Sequence, residues 1–352
     1  MIIEHPTPVE LQHAAHMLKE GQVLAFPTET VYGLGADADN PSAVACIFET
    51  KGRPKDHPLI VHVGEAASVA HFALTIPPFA KVLMQKFWPG PLTLILPKRP
   101  GVADAASGGH ATIGLRMPSH PLALSLLECS KRLGVFGVAA PSANRFGRVS
   151  PTRAAHVEEE FGKDLMVLDG GPCTIGIEST IIDCTRDAPI LLRPGQLSVE
   201  LIELALGEKV YAQLIDQEHP ESAQNLPGPL TPLNALTPSE APKASGRLLA
   251  HYAPSAKVEL LEPQALLERL STHAHQPNAR IGVWSFEDGT QGNPTYLYKA
   301  MPTHADACAH ELFSTLREFD HAGVQEIWIQ HPPHLAQWLG VYDRLKRASS
   351  AQ

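Results

Sequence analysis

The sequence is poor in cysteine: five residues in 352, scattered at Cys46, Cys129, Cys173, Cys184 and Cys308, with no C-x-x-C pair. That argues against a disulfide framework and against a zinc knuckle. No H-E-x-x-H occurs among the eighteen histidines. Neither G-x-G-x-x-G nor G-x-x-x-x-G-K-[ST] is present, so a dinucleotide fingerprint and a P-loop are both unsupported. No apolar run is long enough to cross a bilayer. Residues 1–21 lack a basic segment followed by an apolar one, so no signal peptide is expected and a reducing cytoplasm is the expected compartment. Positive charge is also short: the formal net charge is -9. The surface as a whole does not attract nucleic acid, and any polyanion site must be local.

What is present suits two domains: the length exceeds one typical domain, and 44% hydrophobic with 18% charged residues is ordinary for a globular protein. One stretch concentrates cations. Lys51, Arg53, Lys55 and His57 sit among Gly52, Pro54 and Pro58, ahead of the apolar run Leu59 to Val63. Glycine permits close backbone approach and proline stiffens the turn, so phosphate-gripping side chains lie on a firm loop before a strand. The plain alternative is a solvated basic turn.

The chain otherwise alternates helix and strand up to about Gly207. Thr7-Pro8-Val9-Glu10 reads as a capping box opening a helix whose apolar face is Leu11, Ala14, Ala15 and Leu18. A strand at 22–26 enters Pro27-Thr28-Glu29-Thr30-Val31-Tyr32-Gly33-Leu34-Gly35, a polar Gly-containing segment read as a ligand turn or a helix cap. Asn40-Pro41 caps a helix over 42–50. Strands are expected at 59–63, 92–96, 112–117 and 135–140, with Arg116 among apolar neighbours. A buried arginine needs an anion, either a protein carboxylate or a ligand carboxylate. The strand ending at Ala140 leads into Pro141-Ser142-Ala143-Asn144 and on to Ser150, small polar residues of the kind that hold phosphate oxygens. Thr152 is read as the cap of the following helix.

After Gly207 the composition shifts. Residues 226–242 hold Pro227, Pro229, Pro232, Pro238 and Pro242, which reads as an extended linker. His251-Tyr252-Ala253-Pro254 closes it, and a second, smaller α/β unit follows. The expected division is 1–207, a Pro-rich linker 208–254, and 255–352.

Seven stretches, in order, resemble the threonylcarbamoyl-AMP synthases, the YrdC-type enzymes of tRNA modification. They are Pro27 to Gly35; Lys51-Gly-Arg-Pro with Pro58-Leu-Ile-Val-His-Val; Phe87-Trp-Pro-Gly-Pro-Leu-Thr; Arg116-Met-Pro; Ala140-Pro-Ser-Ala-Asn; Gly176-Ile-Glu-Ser-Thr; and Leu192-Arg-Pro-Gly. The linker and the second α/β unit are similar to the long form of the family. His57 departs from the pattern, where asparagine is expected. The resemblance implies an α/β fold: a YrdC-like twisted mixed sheet flanked by helices, plus a smaller Rossmann-like C-terminal α/β domain. It implies the conversion of L-threonine, bicarbonate and ATP to threonylcarbamoyl-AMP and pyrophosphate, with magnesium accompanying ATP and no metal ligands assignable. Downstream proteins then transfer the threonylcarbamoyl group to tRNA.

The implied ATP contacts are Lys51 and Arg53, taken as catalytic cations, with His57, Thr112, Ser142, Asn144, Ser150, Arg193 and Tyr252. The implied threonine contacts are Thr30, His62, Arg116, Ala140, Ser179 and Thr180. The Pro-rich segment is read either as a cover over the ATP site or as a passive tether. Rival readings are a carbamoyl-transfer enzyme of the hydrogenase-maturation type, a module for double-stranded RNA or tRNA, and a threonine-sensing second domain.

Overall fold

Thr7 starts the first helix, Pro8–Lys19, with a complete capping box: its side chain accepts from Glu10 N while the Glu10 carboxylate accepts from Thr7 N at 2.7 Å. Asn40 does the same work for the helix Pro41–Lys51, its Oδ1 accepting from Ser42 N and Ala43 N at 3.1 and 3.2 Å. That helix ends at Gly52 in the left-handed region, φ 63°, which turns the chain and leaves Lys51 on the last helical turn. The computed structural model describes residues 1–212, 231–232, 251–273, 280–290 and 292–351.

Among the described residues, twelve short strands form one mixed sheet. In chain order they are β1 (Ile2–Glu4), β2 (Leu24–Phe26), β3 (Gly33–Asp37), β4 (Ile60–His62), β5 (Leu92–Pro97), β6 (Thr112–Arg116), β7 (Val138–Ala139), β8 (Val167–Asp169), β9 (Thr180–Asp183), β10 (Ile190–Arg193), β11 (Tyr211–Ala212) and β12 (Thr231–Pro232). Their spatial order is β1-β8-β2-β3-β7-β4-β6-β5-β9-β10-β11-β12. The central strands read as near-continuous apolar runs because both faces are covered, as at Leu92 to Leu96.

A second sheet is wholly parallel: β13 (Lys257–Leu261), β14 (Ile281–Ser285), β15 (Tyr296–Ala300) and β16 (Glu326–Gln330), ordered β13-β16-β14-β15. The helices Pro263–His273, Ala305–His321 and Leu339–Ser349 accompany it. Among the described residues, no helix is long and apolar enough to cross a membrane.

Three sequence expectations change. Gly33 to Gly35 neither turns nor caps a helix; it opens β3, antiparallel to β2 and β7. A Cβ on Gly35 would lie 2.7 Å from the Phe26 ring, so glycine is required by the close packing of that ring. Thr152 does not cap the next helix. Arg153 holds the cap position of Ala154–Phe161, and the Thr152 hydroxyl pairs at 3.0 Å with Ser314 of the C-terminal unit. Within the stretch read as linker, β11 and β12 extend the large sheet; residues 213–230 and 233–250 lie outside the described residues.

The two sheets share a hydrophobic core. Val31, Val149, Ile175 and Ile177 of the larger unit pack with Phe313, Trp338, Val341 and Leu345 of the smaller one. Glycines permit the approach. A Cβ on Gly176 would meet Ala309 O at 2.5 Å, and one on Gly340 would meet Gly195 O at 2.8 Å.

Candidate active site

Strands β4 and β6 run parallel in a register that sets His62 beside Arg116 at their C-terminal ends. Arg116 is buried, and its surroundings are polar. Its Nη1 donates to Thr30 Oγ1 at 2.8 Å and its Nε to Gly90 O at 3.3 Å. Its Nη2 stands 2.6 Å from Glu29 Oε1, an ion-pair distance without hydrogen-bond alignment. The other Glu29 oxygen accepts from Ser119 N at 3.1 Å. The anion required by the buried arginine is therefore supplied, at least in part, by the protein. His62 is buried against the Phe26 ring, and its Nδ1 has no hydrogen-bond partner. Burial, then the neighbouring Arg116, pull its pKa down to about 3, so the ring is neutral near pH 7.

Ser179 and Thr180 stand at the start of β9. Ser179 Oγ pairs with Thr93 Oγ1 at 2.7 Å. Arg193, at the end of β10, donates through Nε and Nη2 to the Ser179 carbonyl at 3.1 and 3.0 Å and through Nη2 to Ser179 Oγ at 3.2 Å. Just past β10 is Gly195, where a Cβ would fall 2.5 Å from Thr180 N. Only glycine allows the two loops to touch.

Arg116, His62, Thr30, Ser179 and Arg193 line one pocket that opens to solvent. Of the expected site residues, Thr30, Arg53, His62, Arg116, Ala140, Ser142, Ser179, Arg193 and Tyr252 are on its wall. Lys51, His57, Thr112, Asn144, Ser150 and Thr180 are not. Each of these has a visible reason. Lys51 Nζ is turned into the protein, donating at 2.5 Å to both Ser142 O and Asn144 O. Thr112 is at the far end of β6 from Arg116. The Ser150 hydroxyl donates to Glu178 Oε1 at 2.5 Å, and the Thr180 hydroxyl to Leu197 O at 2.9 Å. Asn144 donates to Arg145 O and Arg148 O, leaving its Oδ1 without a hydrogen bond. The His57 ring packs on Phe146, 5.6 Å between centroids.

Burial weighs on the cations. Burial lowers the Arg53 pKa to about 10, and burial with the nearby Arg53 holds Lys51 well below the usual ammonium range. An incoming polyanion opposes both effects, because its negative charge favours the protonated, charged forms.

Seven wall residues had no role expected from sequence: Thr28, Val31, Gly33, Ile60, Pro141, Glu178 and His251. Glu178 lay inside a quoted stretch, but nothing in its spacing indicated a buried carboxylate. It is buried between Ser150 and Arg344, the latter donating from Nε to Oε2 at 3.0 Å. Burial raises its pKa, but Arg344, Arg193 and Ser150 outweigh that and hold it below the usual carboxylate range. The 251–254 segment crosses above the 145–150 loop: Ala253 N donates to Gly147 O at 2.9 Å. Tyr252 has a positive φ of 63°, and neither its hydroxyl nor His251 Nδ1 has a hydrogen-bond partner.

Comparison with known proteins places this geometry. Residues 16–195 match the family model described as telomere recombination, and residues 199–350 match the one described as the threonylcarbamoyl-AMP synthase C-terminal domain. The threonylcarbamoyl-AMP synthase of Pyrococcus abyssi is 39% identical over 351 residues, covering 97% of this chain and 94% of that protein. That of Bacillus subtilis is 38% identical, with the same coverage of 97% and 94%. The crystal structure of P. abyssi Sua5 complexed with L-threonine superposes with a TM-score of 0.83 at 36% identity, covering 100% of this chain and 98% of that one. The chain thus belongs to the threonylcarbamoyl-AMP synthases, adenylyl-transferring enzymes, in the long form that joins a YrdC-type unit to a Sua5 C-terminal domain.

Proposed function

We propose that the pocket gathers L-threonine, bicarbonate and ATP and assembles threonylcarbamoyl-AMP in place. The observation that carries this reading is the charge on the wall: Arg116 with Thr30 and His62, and Arg53 with Arg193, face one cavity. The threonine carboxylate pairs with the Arg116 fork, whose Glu29 contact fixes its plane. The unpartnered Nδ1 of neutral His62 and the hydroxyls of Thr30 and Ser179 serve the substrate amine and hydroxyl.

The threonine amine adds to bicarbonate, losing water and giving a carbamate. A carbamate oxygen then attacks the α-phosphorus of ATP, the P–O bond to the β-phosphate breaks, and pyrophosphate leaves. The nucleophile is already an anion, so the chain needs positioning and charge neutralisation rather than a general-base relay. Arg53 and Arg193 neutralise the triphosphate, and Ser142 offers hydrogen bonds. Lys51 acts from behind, bracing the 142–144 loop and adding charge.

The single acid on the described wall, Glu178, has both oxygens engaged by Ser150 and Arg344. The wall therefore does not fit a resident magnesium ion, and magnesium arrives as MgATP. We divide the chain at about Gly207 and place it in the cytoplasm, upstream of the proteins that transfer the threonylcarbamoyl group to tRNA.

Pyrophosphate release tests the reading, with ATP, L-threonine and bicarbonate omitted in turn. Release is expected to need all three. Release indifferent to threonine would overturn it.

A further inference from the structure

The residue that closes the site from behind belongs to the other unit. Arg344, on the helix Leu339–Ser349, is completely buried. Its Nε donates to Glu178 Oε2 at 3.0 Å and its Nη2 to Glu178 O at 3.2 Å. Its Nη1 donates to Pro194 O at 2.7 Å and to Asp343 Oδ2 at 2.8 Å. Its guanidinium carbon stands 5.6 Å from the centre of the Tyr252 ring. One side chain thus fixes the loop that bears Ser179, the loop that bears Arg193, and the face of Tyr252. It also meets the one carboxylate among the described residues of the pocket wall. Asp343 is held in turn by Arg347, at 2.9 Å from Nη2 to Oδ1.

We propose that Arg344 is a positioning residue through which the C-terminal unit sets the affinity of the pocket for the nucleotide, by neutralising Glu178 and locking the two loops that carry Ser179 and Arg193. The proposal rests on the reading that the pocket takes ATP. Glu178 is an acid on the same wall as Arg53 and Arg193, and without its arginine partner it would oppose the triphosphate. The arrangement also explains why a helix without a residue in the pocket packs so closely: Gly340, four residues before Arg344, lets it reach Gly195.

The test uses the full chain and two readouts: equilibrium ATP binding, and KM and kcat from pyrophosphate release. Arg344→Gln is expected to weaken ATP binding about 10-fold or more, and to raise the ATP KM more than the threonine KM. Arg344→Lys, which keeps the charge, is expected to retain most of the affinity for ATP. Adding Glu178→Gln to Arg344→Gln is expected to restore a large part of the lost ATP affinity. A purely structural role gives no such rescue. Equal ATP affinity in the wild type and Arg344→Gln, or a double variant no better than the single one, would overturn the proposal. If Arg344→Gln does not fold, Glu178→Gln alone decides: tighter ATP binding supports the charge argument, and weaker binding at unchanged thermal midpoint refutes it. A wild-type chain that binds no ATP would sink the reading of the pocket, and the proposal with it.

Discussion

Arg116 Nη2 lies 2.6 Å from Glu29 Oε1, so the arginine assigned to the substrate carboxylate already carries a protein partner. The pair reconciles two demands. A guanidinium stripped of water needs a negative charge, and a substrate site needs a fork held in one orientation. Glu29 meets both, while Nη1 is aligned on Thr30.

Arg116→Lys keeps the charge and loses the fork. The threonine KM is expected to rise about 10- to 100-fold, the worth of a charge-assisted hydrogen bond of about 1.5–3 kcal/mol. ATP binding should hold. Steady-state kinetics with each substrate varied in turn would check this, and an equal loss for both substrates would refute the assignment.

Lys51 and Arg53 are neighbours in sequence with different surroundings. Arg53 is on the pocket wall, whereas Lys51 braces two carbonyls behind it. Arg53→Ala is expected to raise the ATP KM about 10-fold or more. Lys51→Met is expected to lower the unfolding free energy as well, by about 1–3 kcal/mol, because the buried Asn144 carbonyl loses the Lys51 donor and the Ser142 carbonyl keeps only Asn144 N. Urea denaturation alongside kinetics separates the two effects.

Gly340→Ala tests the docking of the two units. Its Cβ would lie 2.8 Å from Gly195 O and 3.0 Å from Ile177 Cδ1. Overpacking of this kind costs about 1–3 kcal/mol. A lower thermal midpoint is expected, with a loss of turnover because Gly195 adjoins Arg193. A variant with wild-type midpoint and rate would show that the contact is slack.

The pH profile of stability should slope in one direction. Burial lowers His62 and His251 to about 3 each. In the unfolded chain histidine titrates near 6.5, so between about 3 and 6.5 the unfolded state binds more protons. Stability is expected to fall as pH drops below 6.5. Glu178, held below the usual carboxylate range, adds to the loss further down, since its contribution disappears as pH falls through its folded pKa. A urea midpoint lower at pH 5.5 than at pH 7.5 would agree; a higher one would contradict the burial of these rings.

Much of this architecture could be read from local signals. The helix caps at Thr7 and Asn40 and the C-terminal strands and helices were legible because caps and apolar periodicity are written within a few residues of the elements they define. Strand β3 was not, since its Gly33-Leu-Gly35 composition reads as a turn, and its identity depends on Phe26 packing against Gly35 from another strand. The same limit applies to the site. Arg116, Arg53 and Arg193 stand out as cations in apolar or Gly-Pro settings. Glu178 and Arg344 are 166 residues apart, and only the docked units bring their charges together. Thr152 likewise looked like a cap and instead reaches Ser314, a partner that no local window contains.

The common core of the two units also bears on how the chain is made. Val31, Ile175 and Ile177 belong to the larger unit, yet Trp338, Val341 and Leu345, which share their core, come much later in the sequence. An unfinished chain would leave the larger unit's share of that core uncovered until the helix Leu339–Ser349 has been made. A polypeptide stopped short of that helix would carry a sticky half-interface and a Glu178 stripped of its counter-ion. The shared core and the partner of Glu178 are both in place only once the helix Leu339–Ser349 has docked.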